Sequence, residues 1–239
     1  MPGAVEAVQR LTARGTPYRF VTNTTSKPRS ALVARLRGYG FEARPEQIFT
    51  ALRAGAELAK SLGFRSIAPF VAPAALEDLS EFELAGGTAG PPDRRTADAV
   101  LIGDLGDLWS FALLQEAFEY VQSGATLIAL SRDRYWLSGG RLTLDAGPFV
   151  AGLEYATQTQ SRVAGKPNPD FFHGAVRSLG LEPGTTDVVM IGDDIWGDIQ
   201  GAQQAGYRGW LVKTGKFREE VLVRSGVVPD RVLESVADL

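Results

Sequence analysis

Short apolar runs alternate with segments of helical periodicity at both ends of the sequence. Apolar runs bounded by polar or glycine residues predict buried strands, and apolar residues three or four positions apart predict amphipathic helices. The predicted helices cover residues 5–13, 26–39, 51–62, 169–179, 198–205 and 219–225, and the predicted strands cover 18–22, 48–50, 187–191 and 209–212. Strands that alternate with helices are typical of parallel βα units, so an α/β fold is expected.

The middle of the chain has a different pattern. Strands are predicted over 66–71, 99–102 and 126–130, a helix over 109–122, and a hairpin over 135–144 with its turn at Gly139-Gly140. We interpret residues 53–160 as a separate α/β module that is inserted into an outer domain. That outer domain would be formed by two pieces of chain, residues 1–52 and 161–239.

Composition narrows the class of protein. The chain has 239 residues, of which 44% are hydrophobic and 22% are charged, and these values are typical of a soluble globular protein. A net charge of -3 gives no electrostatic reason to expect nucleic acid or membrane partners, and no apolar run has the length of a membrane span. Cysteine is absent, which excludes disulfides, thiolate metal sites and cysteine nucleophiles. We see no signal peptide, and a cytoplasmic location is the default expectation.

The most informative stretch is an apolar run from Val188 that ends at Gly192 and is followed by acidic residues. Asp193 and Asp194 follow directly, and Asp198 comes one helical turn later. In open α/β sheets this position lies outside the carboxyl end of a strand, where ligands bind. Clustered carboxylates repel each other unless a cation joins them, and oxygen ligands of this kind suit Mg²⁺. The alternative is a helix N-terminus that favours acids through its dipole.

Two further segments have residues suited to phosphate chemistry. Thr22 and Asn23 end a predicted strand and offer a hydroxyl and an amide to an anion, although the same turn is also consistent with an ordinary helix cap at Ser26. Lys166 lies between a glycine and a proline before a helix, where it would balance carboxylates or a phosphoryl group, or be an ordinary loop lysine. Together with the aspartates, these residues form a set suited to phosphoryl transfer.

These segments, in this order, resemble the motifs of the haloacid dehalogenase (HAD) superfamily of phosphatases, in particular its capped subclass IIA. The matching motifs are Thr22-Asn23 (second), Gly165-Lys166-Pro167 (third), and Gly192-Asp193-Asp194 with Asp198 (fourth). The resemblance covers almost the whole chain. It implies a Rossmann-like core with a parallel sheet and an inserted α/β cap of the C2 type.

The resemblance also implies an activity, which is the Mg²⁺-dependent hydrolysis of small phosphorylated compounds. Phosphomonoesters, pyrophosphate and phosphoramidates are the expected substrate classes, and the reaction would pass through a phosphoaspartyl intermediate. A homodimer is a further possibility that the resemblance suggests.

Residue roles follow from the same resemblance. Thr22 is expected to donate a hydrogen bond to the phosphoryl group, with Asn23 beside it. Lys166 would neutralise charge on the nucleophile and the phosphoryl oxygens. The three aspartates are the expected metal ligands: Asp193 ligates Mg²⁺, Asp194 is either a ligand or a helix cap, and Asp198 orients Lys166 or metal-bound water.

The family's first motif, an apolar strand that ends in Asp-x-Asp-Gly, has no match in this sequence. That motif supplies the nucleophile, and the family's strand order places its strand in the centre of the sheet. We therefore expect a chain that lacks this central strand, is poorly stable alone and has no phosphatase activity. A start assigned downstream of the true one, a deliberately shortened polypeptide and a catalytically dead binding protein remain alternative explanations.

Overall fold

A computed structural model of the chain describes residues 2–91, 96–138, 140–185 and 187–239. These residues form two compact units. The first unit contains the described residues up to Val21, residues Val33–Phe49 and the described part of Lys166–Leu239. The second unit contains Thr22–Leu32 and the described part of Thr50–Gly165. The domain boundaries given above remain a prediction.

Helices and strands alternate along the chain. The helices are α1 (Ala4–Ala13), α2 (Arg29–Gly38), α3 (Ala51–Ser61), α4 (Phe111–Gln122), α5 (Gly147–Thr157), α6 (Pro169–Ser178), α7 (Gly201–Gln204) and α8 (Glu219–Ser225). The strands are β1 (Phe20–Thr22), β2 (Ile48–Thr50), β3 (Ser66–Phe70), β4 (Glu83–Leu84), β5 (Ala99–Ile102), β6 (Thr126–Ala129), β7 (Tyr135–Ser138), β8 (Arg141–Leu144), β9 (Arg162–Val163), β10 (Val189–Gly192), β11 (Arg208–Val212) and β12 (Arg231–Leu233).

The first unit contains a parallel sheet with the strand order β10–β11–β12. Gly192 at the end of β10 is paired with Leu211 of β11, so the loops that follow these two strands leave the same edge of the sheet. Leu211 packs with the buried Ile195 and Ile199, and Phe217 lies against this cluster. Among the described residues β10 pairs only with β11, and its apolar side chains are half-buried although their sequence is typical of a central strand.

The second unit contains a five-stranded parallel sheet with the order β4–β3–β5–β6–β9. The residues of β5 are fully buried, and helices α4 and α5 contribute Ala117, Tyr120, Val150 and Leu153 to the same core. Full burial of one such aliphatic side chain contributes about 1.5–3 kcal/mol to folding. A separate two-stranded sheet pairs β1 with β2. In the described ranges, no helix has the length and apolarity needed to cross a membrane.

The expected α/β class with parallel sheets is confirmed, and so is the hairpin, in which β7 and β8 pair in the antiparallel direction. Gly139, at the predicted hairpin turn, lies outside the described residues. The helix predicted over 198–205 is divided into a π-helical turn, Ile195–Gln200, and the short α7. Helix α5 and strands β4, β9 and β12 were not predicted.

Helix α2 begins at Arg29, three residues after the predicted start at Ser26. Pro28 explains the difference, because a residue that precedes proline is disfavoured in the helical conformation. Asp78, distant in sequence, takes the place of a local cap: its Oδ2 accepts the backbone N–H of Arg29 at 2.9 Å, and its Oδ1 accepts Arg29 Nε at 2.9 Å. The interpretation of Ser26 as the helix cap is therefore wrong.

Glu154, near the end of α5, forms hydrogen bonds with the loop that precedes β9. Its Oε1 accepts the backbone N–H and the hydroxyl of Ser161 at 3.0 and 2.7 Å, and its Oε2 accepts Arg132 at 2.8 Å. Burial would raise the pKa of Glu154, but the hydrogen bonds from Ser161 and the charge of Arg132 outweigh burial and hold that pKa below its usual value. The ionised form of Glu154 therefore stabilises the folded second unit.

Replacement Glu154→Gln is expected to lower the free energy of unfolding at pH 7 by about 1 kcal/mol, because it removes charge-assisted hydrogen bonds at a partly solvated site. The stabilising effect of Glu154 is present above the unfolded-state pKa of about 4.3 and is lost as the pH falls through the lower folded-state pKa. Urea unfolding at pH 7 and pH 3 checks this. The control Glu234→Gln, at an exposed pair with Lys213, should change little at either pH. An equal loss at both pH values would contradict the prediction.

Candidate active site

Lys166 and Asp198 form a buried ion pair in the first unit. Lys166 Nζ donates to Asp198 Oδ1 at 2.5 Å, and the two side chains are only 13% and 6% exposed. Asp198 lies in the π-helical turn that follows β10, and the lysine lies in the loop before α6, whose first turn is capped by Asn168. A Cβ at Gly192 would lie 2.2 Å from Asp198 Oδ2, so this glycine makes room for the carboxylate. The role of Asp198 in orienting Lys166 for catalysis remains a prediction.

Asp194 acts as the N-terminal cap of the π-helical turn. Its Oδ1 accepts the backbone N–H groups of Trp196 and Gly197 at 3.1 and 2.9 Å, and its Oδ2 accepts Lys216 Nζ at 2.9 Å. Burial acts to raise the pKa of Asp194, but the hydrogen bonds from Gly197 and Lys216 outweigh burial and lower that pKa. The backbone N–H of Asp194 in turn donates to Asp198 Oδ2 at 3.2 Å. Both oxygens of Asp194 are therefore already engaged by the protein.

Asp193 is held by the loop that follows β11. Its Oδ2 accepts the backbone N–H of Lys216 at 2.7 Å. Lys216 thus contacts both neighbouring aspartates, and sequence reasoning missed it as a site residue. The sequence alone does not show which strands become neighbours; in the structure the parallel pairing of β10 with β11 brings the two following loops to one edge of the sheet. A hydrogen-bonded network therefore joins Lys166, Asp198, Asp194, Lys216 and Asp193.

The carboxylates at this edge of the sheet differ in how well they suit a magnesium ion. In the part of the chain that the structure describes, no three histidine, cysteine, aspartate or glutamate side chains gather to form a cation site. Mg²⁺ commonly keeps several waters and binds through one or two carboxylates plus substrate phosphate. Asp193 suits that mode, because its bond to Lys216 uses Oδ2, whereas Asp194 caps a turn and Asp198 holds a lysine. The residues fit a hydrated Mg²⁺ on Asp193 better than a cage of three carboxylates.

Thr22 is the last residue of β1 and Asn23 follows it, and both residues belong to the second unit. The hydroxyls of Thr22 and Thr24 share a hydrogen bond of 2.9 Å, and Thr22 Oγ1 also accepts the Thr24 backbone N–H at 3.1 Å. The buried Thr25 anchors the same turn, since its Oγ1 accepts the backbone N–H of Asp104 at 2.8 Å. The turn is therefore well defined, while the phosphate-binding roles of Thr22 and Asn23 remain predictions.

Two family models match the chain. One, described as haloacid dehalogenase-like hydrolase, matches residues 1–85, and a HAD-hydrolase-like model matches residues 163–239. Together with the relatives below, they show that the chain belongs to the haloacid dehalogenase-like hydrolases. The protein is a hydrolase by family, and the resemblance seen in the sequence is confirmed.

Similar proteins are found among both sequences and structures. Haloacid dehalogenase-like hydrolase domain-containing protein 2 from Bos taurus is 42% identical over 91% of this chain and 79% of its own length. Phospholysine phosphohistidine inorganic pyrophosphate phosphatase from Homo sapiens is 34% identical over 99% of this chain and 83% of its own length. Among solved structures, p-nitrophenyl phosphatase from Archaeoglobus fulgidus has a TM-score of 0.87 and 26% identity, covering 100% of this chain and 90% of that one.

Proposed function

We propose that this protein, in a full-length form that carries the family's first motif, hydrolyses small phosphorylated compounds with the help of Mg²⁺ and through a phosphoaspartyl intermediate. The observation that carries the proposal is the buried Lys166–Asp198 pair, joined through Asp194 and Lys216 to Asp193. The phosphatase relatives support it, and so does a solved glycerol phosphate phosphatase from Mycobacterium tuberculosis in complex with calcium, which has a TM-score of 0.85 and 25% identity over 99% of this chain. Phosphomonoesters, pyrophosphate and phosphoramidates remain the candidate substrates.

Each residue has a role that its chemistry permits. The hydroxyl of Thr22 donates a hydrogen bond to a phosphoryl oxygen, with the Asn23 amide beside it. Lys166 supplies a positive point charge to phosphoryl oxygens, and the carboxylate of Asp198 fixes the position of its ammonium group. Asp193 would hold Mg²⁺, which when bound neutralises the negative charge of the transferring phosphoryl group. Asp194 and Lys216 hold the neighbouring backbone in place.

The 239-residue chain lacks the segment that supplies the nucleophile in this family. No aspartate of the sequence stands in an Asp-x-Asp-Gly segment, which in this family supplies the attacking carboxylate. Loss of a nucleophile costs many orders of magnitude in rate. We therefore propose that the 239-residue chain retains groups that bind phosphate but has no turnover. A phosphate- or partner-binding protein without catalysis is the second candidate, and the same missing motif favours it.

An assay with p-nitrophenyl phosphate and Mg²⁺ tests these proposals. The 239-residue chain is expected to release no nitrophenol above background. The same chain extended at its N-terminus by an apolar strand ending in Asp-x-Asp-Gly should gain Mg²⁺-dependent turnover. A matched extension with the first aspartate changed to asparagine should lose that activity by about 10³-fold or more.

The outcomes separate the candidates. Clear Mg²⁺-dependent hydrolysis by the unextended chain would overturn its proposed inactivity. A folded extended protein without turnover would favour the binding protein over the phosphatase. Circular dichroism of each protein establishes that it is folded before rates are compared.

A further inference from the structure

Gly215 lies against the carboxylate of Asp193 more closely than any side chain permits. Its φ is +59°, in the left-handed region, and a Cβ built at this position would lie 1.8 Å from Asp193 Oδ2 and 2.9 Å from its Cγ. Other glycines with positive φ, such as Gly226 at +68°, have no atom within 4 Å of the corresponding point. Two separate features therefore favour glycine at position 215: its positive φ, and the close approach of its backbone to Asp193.

The close approach of Gly215 to Asp193 brings the backbone of Lys216 within hydrogen-bonding distance of the same carboxylate. The backbone N–H of Lys216 donates to Asp193 Oδ2 at 2.7 Å, and the ammonium group of the same residue donates to Asp194 Oδ2 at 2.9 Å. Asp193 directly follows β10, and the turn with Gly215 follows β11, its parallel neighbour in the sheet. The turn is thus attached to the same sheet as the aspartates that it contacts.

We propose that Gly215 is a positioning residue for Asp193. The absence of a side chain lets the backbone approach the carboxylate, so that the Lys216 amide holds Oδ2 and sets the orientation of the whole group. The carboxylate keeps Oδ1 as the oxygen that Lys216 does not engage. This inference rests on the proposed function where it assigns Asp193 to a divalent cation, and the hydrogen bond itself is independent of that assignment.

Cation affinity of Gly215→Ala is the first test. Mn²⁺, titrated into the 239-residue chain and followed by electron paramagnetic resonance, replaces Mg²⁺ as a probe. Gly215→Ala is expected to weaken Mn²⁺ binding about 10-fold or more, the usual effect of losing a group that orients a metal ligand. The matched control, Gly226→Ala, introduces the same kind of backbone strain in open space and is expected to bind Mn²⁺ like the parent chain.

The Lys216 amide proton gives a second readout that needs no metal. In ¹H–¹⁵N spectra its signal is expected to lie downfield, because the amide donates a short bond to a carboxylate. The signal should move upfield in Gly215→Ala and in Asp193→Ala, and should stay in place in Gly226→Ala. A purely structural role of Gly215 would not make the first two variants agree at this one amide.

The two measurements distinguish a failure of the proposed role of Gly215 from a failure of the proposed cation site. Equal Mn²⁺ affinity in Gly215→Ala and Gly226→Ala, or a Lys216 amide that ignores Asp193→Ala, would overturn the role of Gly215. A parent chain that binds no Mn²⁺ while its Lys216 amide responds as expected would count against Asp193 as a cation ligand in the proposed function. Gly215 would in that case still be the residue that positions Asp193.

Discussion

Replacement Lys166→Met is expected to lower the free energy of unfolding by about 3–5 kcal/mol. Removal of the lysine leaves the carboxylate of Asp198 uncompensated in a site where that side chain is only 6% exposed, and the cost of a buried unpaired charge is of this size. The methionine side chain has a similar length, so lost packing contributes little. Urea unfolding of the parent chain and the variant, followed by circular dichroism, measures the difference.

Two companion variants test the cause. Lys213→Met breaks an exposed pair with Glu234, at side-chain exposures of 37% and 78%, and is expected to change the free energy of unfolding little. The double variant Lys166→Met/Asp198→Leu removes both charges and should be clearly more stable than Lys166→Met alone. If the two lysine variants lost the same stability, the buried pair would have no special importance for folding.

The second large effect is expected at Gly165→Ala, with a loss of about 2–3 kcal/mol in the free energy of unfolding. A Cβ there would lie 2.2 Å from the backbone oxygen of Leu130, 3.0 Å from Asn23 Oδ1 and 3.2 Å from the Cβ of Ala51. A backbone carbonyl of a buried segment cannot rotate away as a side chain does, so strands must shift, and overpacking of this kind costs about 1–3 kcal/mol. Thermal unfolding followed by circular dichroism measures the loss.

Gly152→Ala is the matched control for this variant. Gly152 lies inside helix α5, and a Cβ at this position would have no atom within 4 Å. Alanine is favoured over glycine in a helix by about 0.5–1 kcal/mol, so this variant should be slightly more stable than the parent chain. A stable Gly165→Ala protein would show that the second unit adapts at Leu130 and that the glycine of this motif has no steric role.

Much of the fold could be predicted because its strands are apolar runs bounded by glycine or polar residues. Strands 48–50 and 99–102 were predicted with the bounds that the structure has. Helix α5 was missed because Gly147, Pro148 and Gly152 weaken the helical pattern, although proline is well tolerated in a first turn. Strand β12 was missed because it begins with the charged Arg231 and two of its three residues are exposed, so no buried apolar run marks it.

Some residues of the candidate site could likewise be predicted from the sequence, and others could not. Lys166 and Asp198 could be proposed as partners because both stand in ordered family motifs, and the structure brings them to 2.5 Å. Lys216 could not be found in this way, because its contacts with Asp193 and Asp194 depend on which strands become neighbours in the sheet. Asp78 as the cap of α2 is another tertiary contact that local sequence rules do not contain.

Strand β10 is half-buried and pairs only with β11 among the described strands. This exposed strand edge is expected to promote self-association of the purified protein. Its outer row of peptide groups is a template on which the backbone of another molecule can add, and its valine, methionine and isoleucine side chains favour such growth. Self-association should therefore rise steeply with concentration. Dilute, cold handling and size-exclusion runs at several loadings are the appropriate precautions.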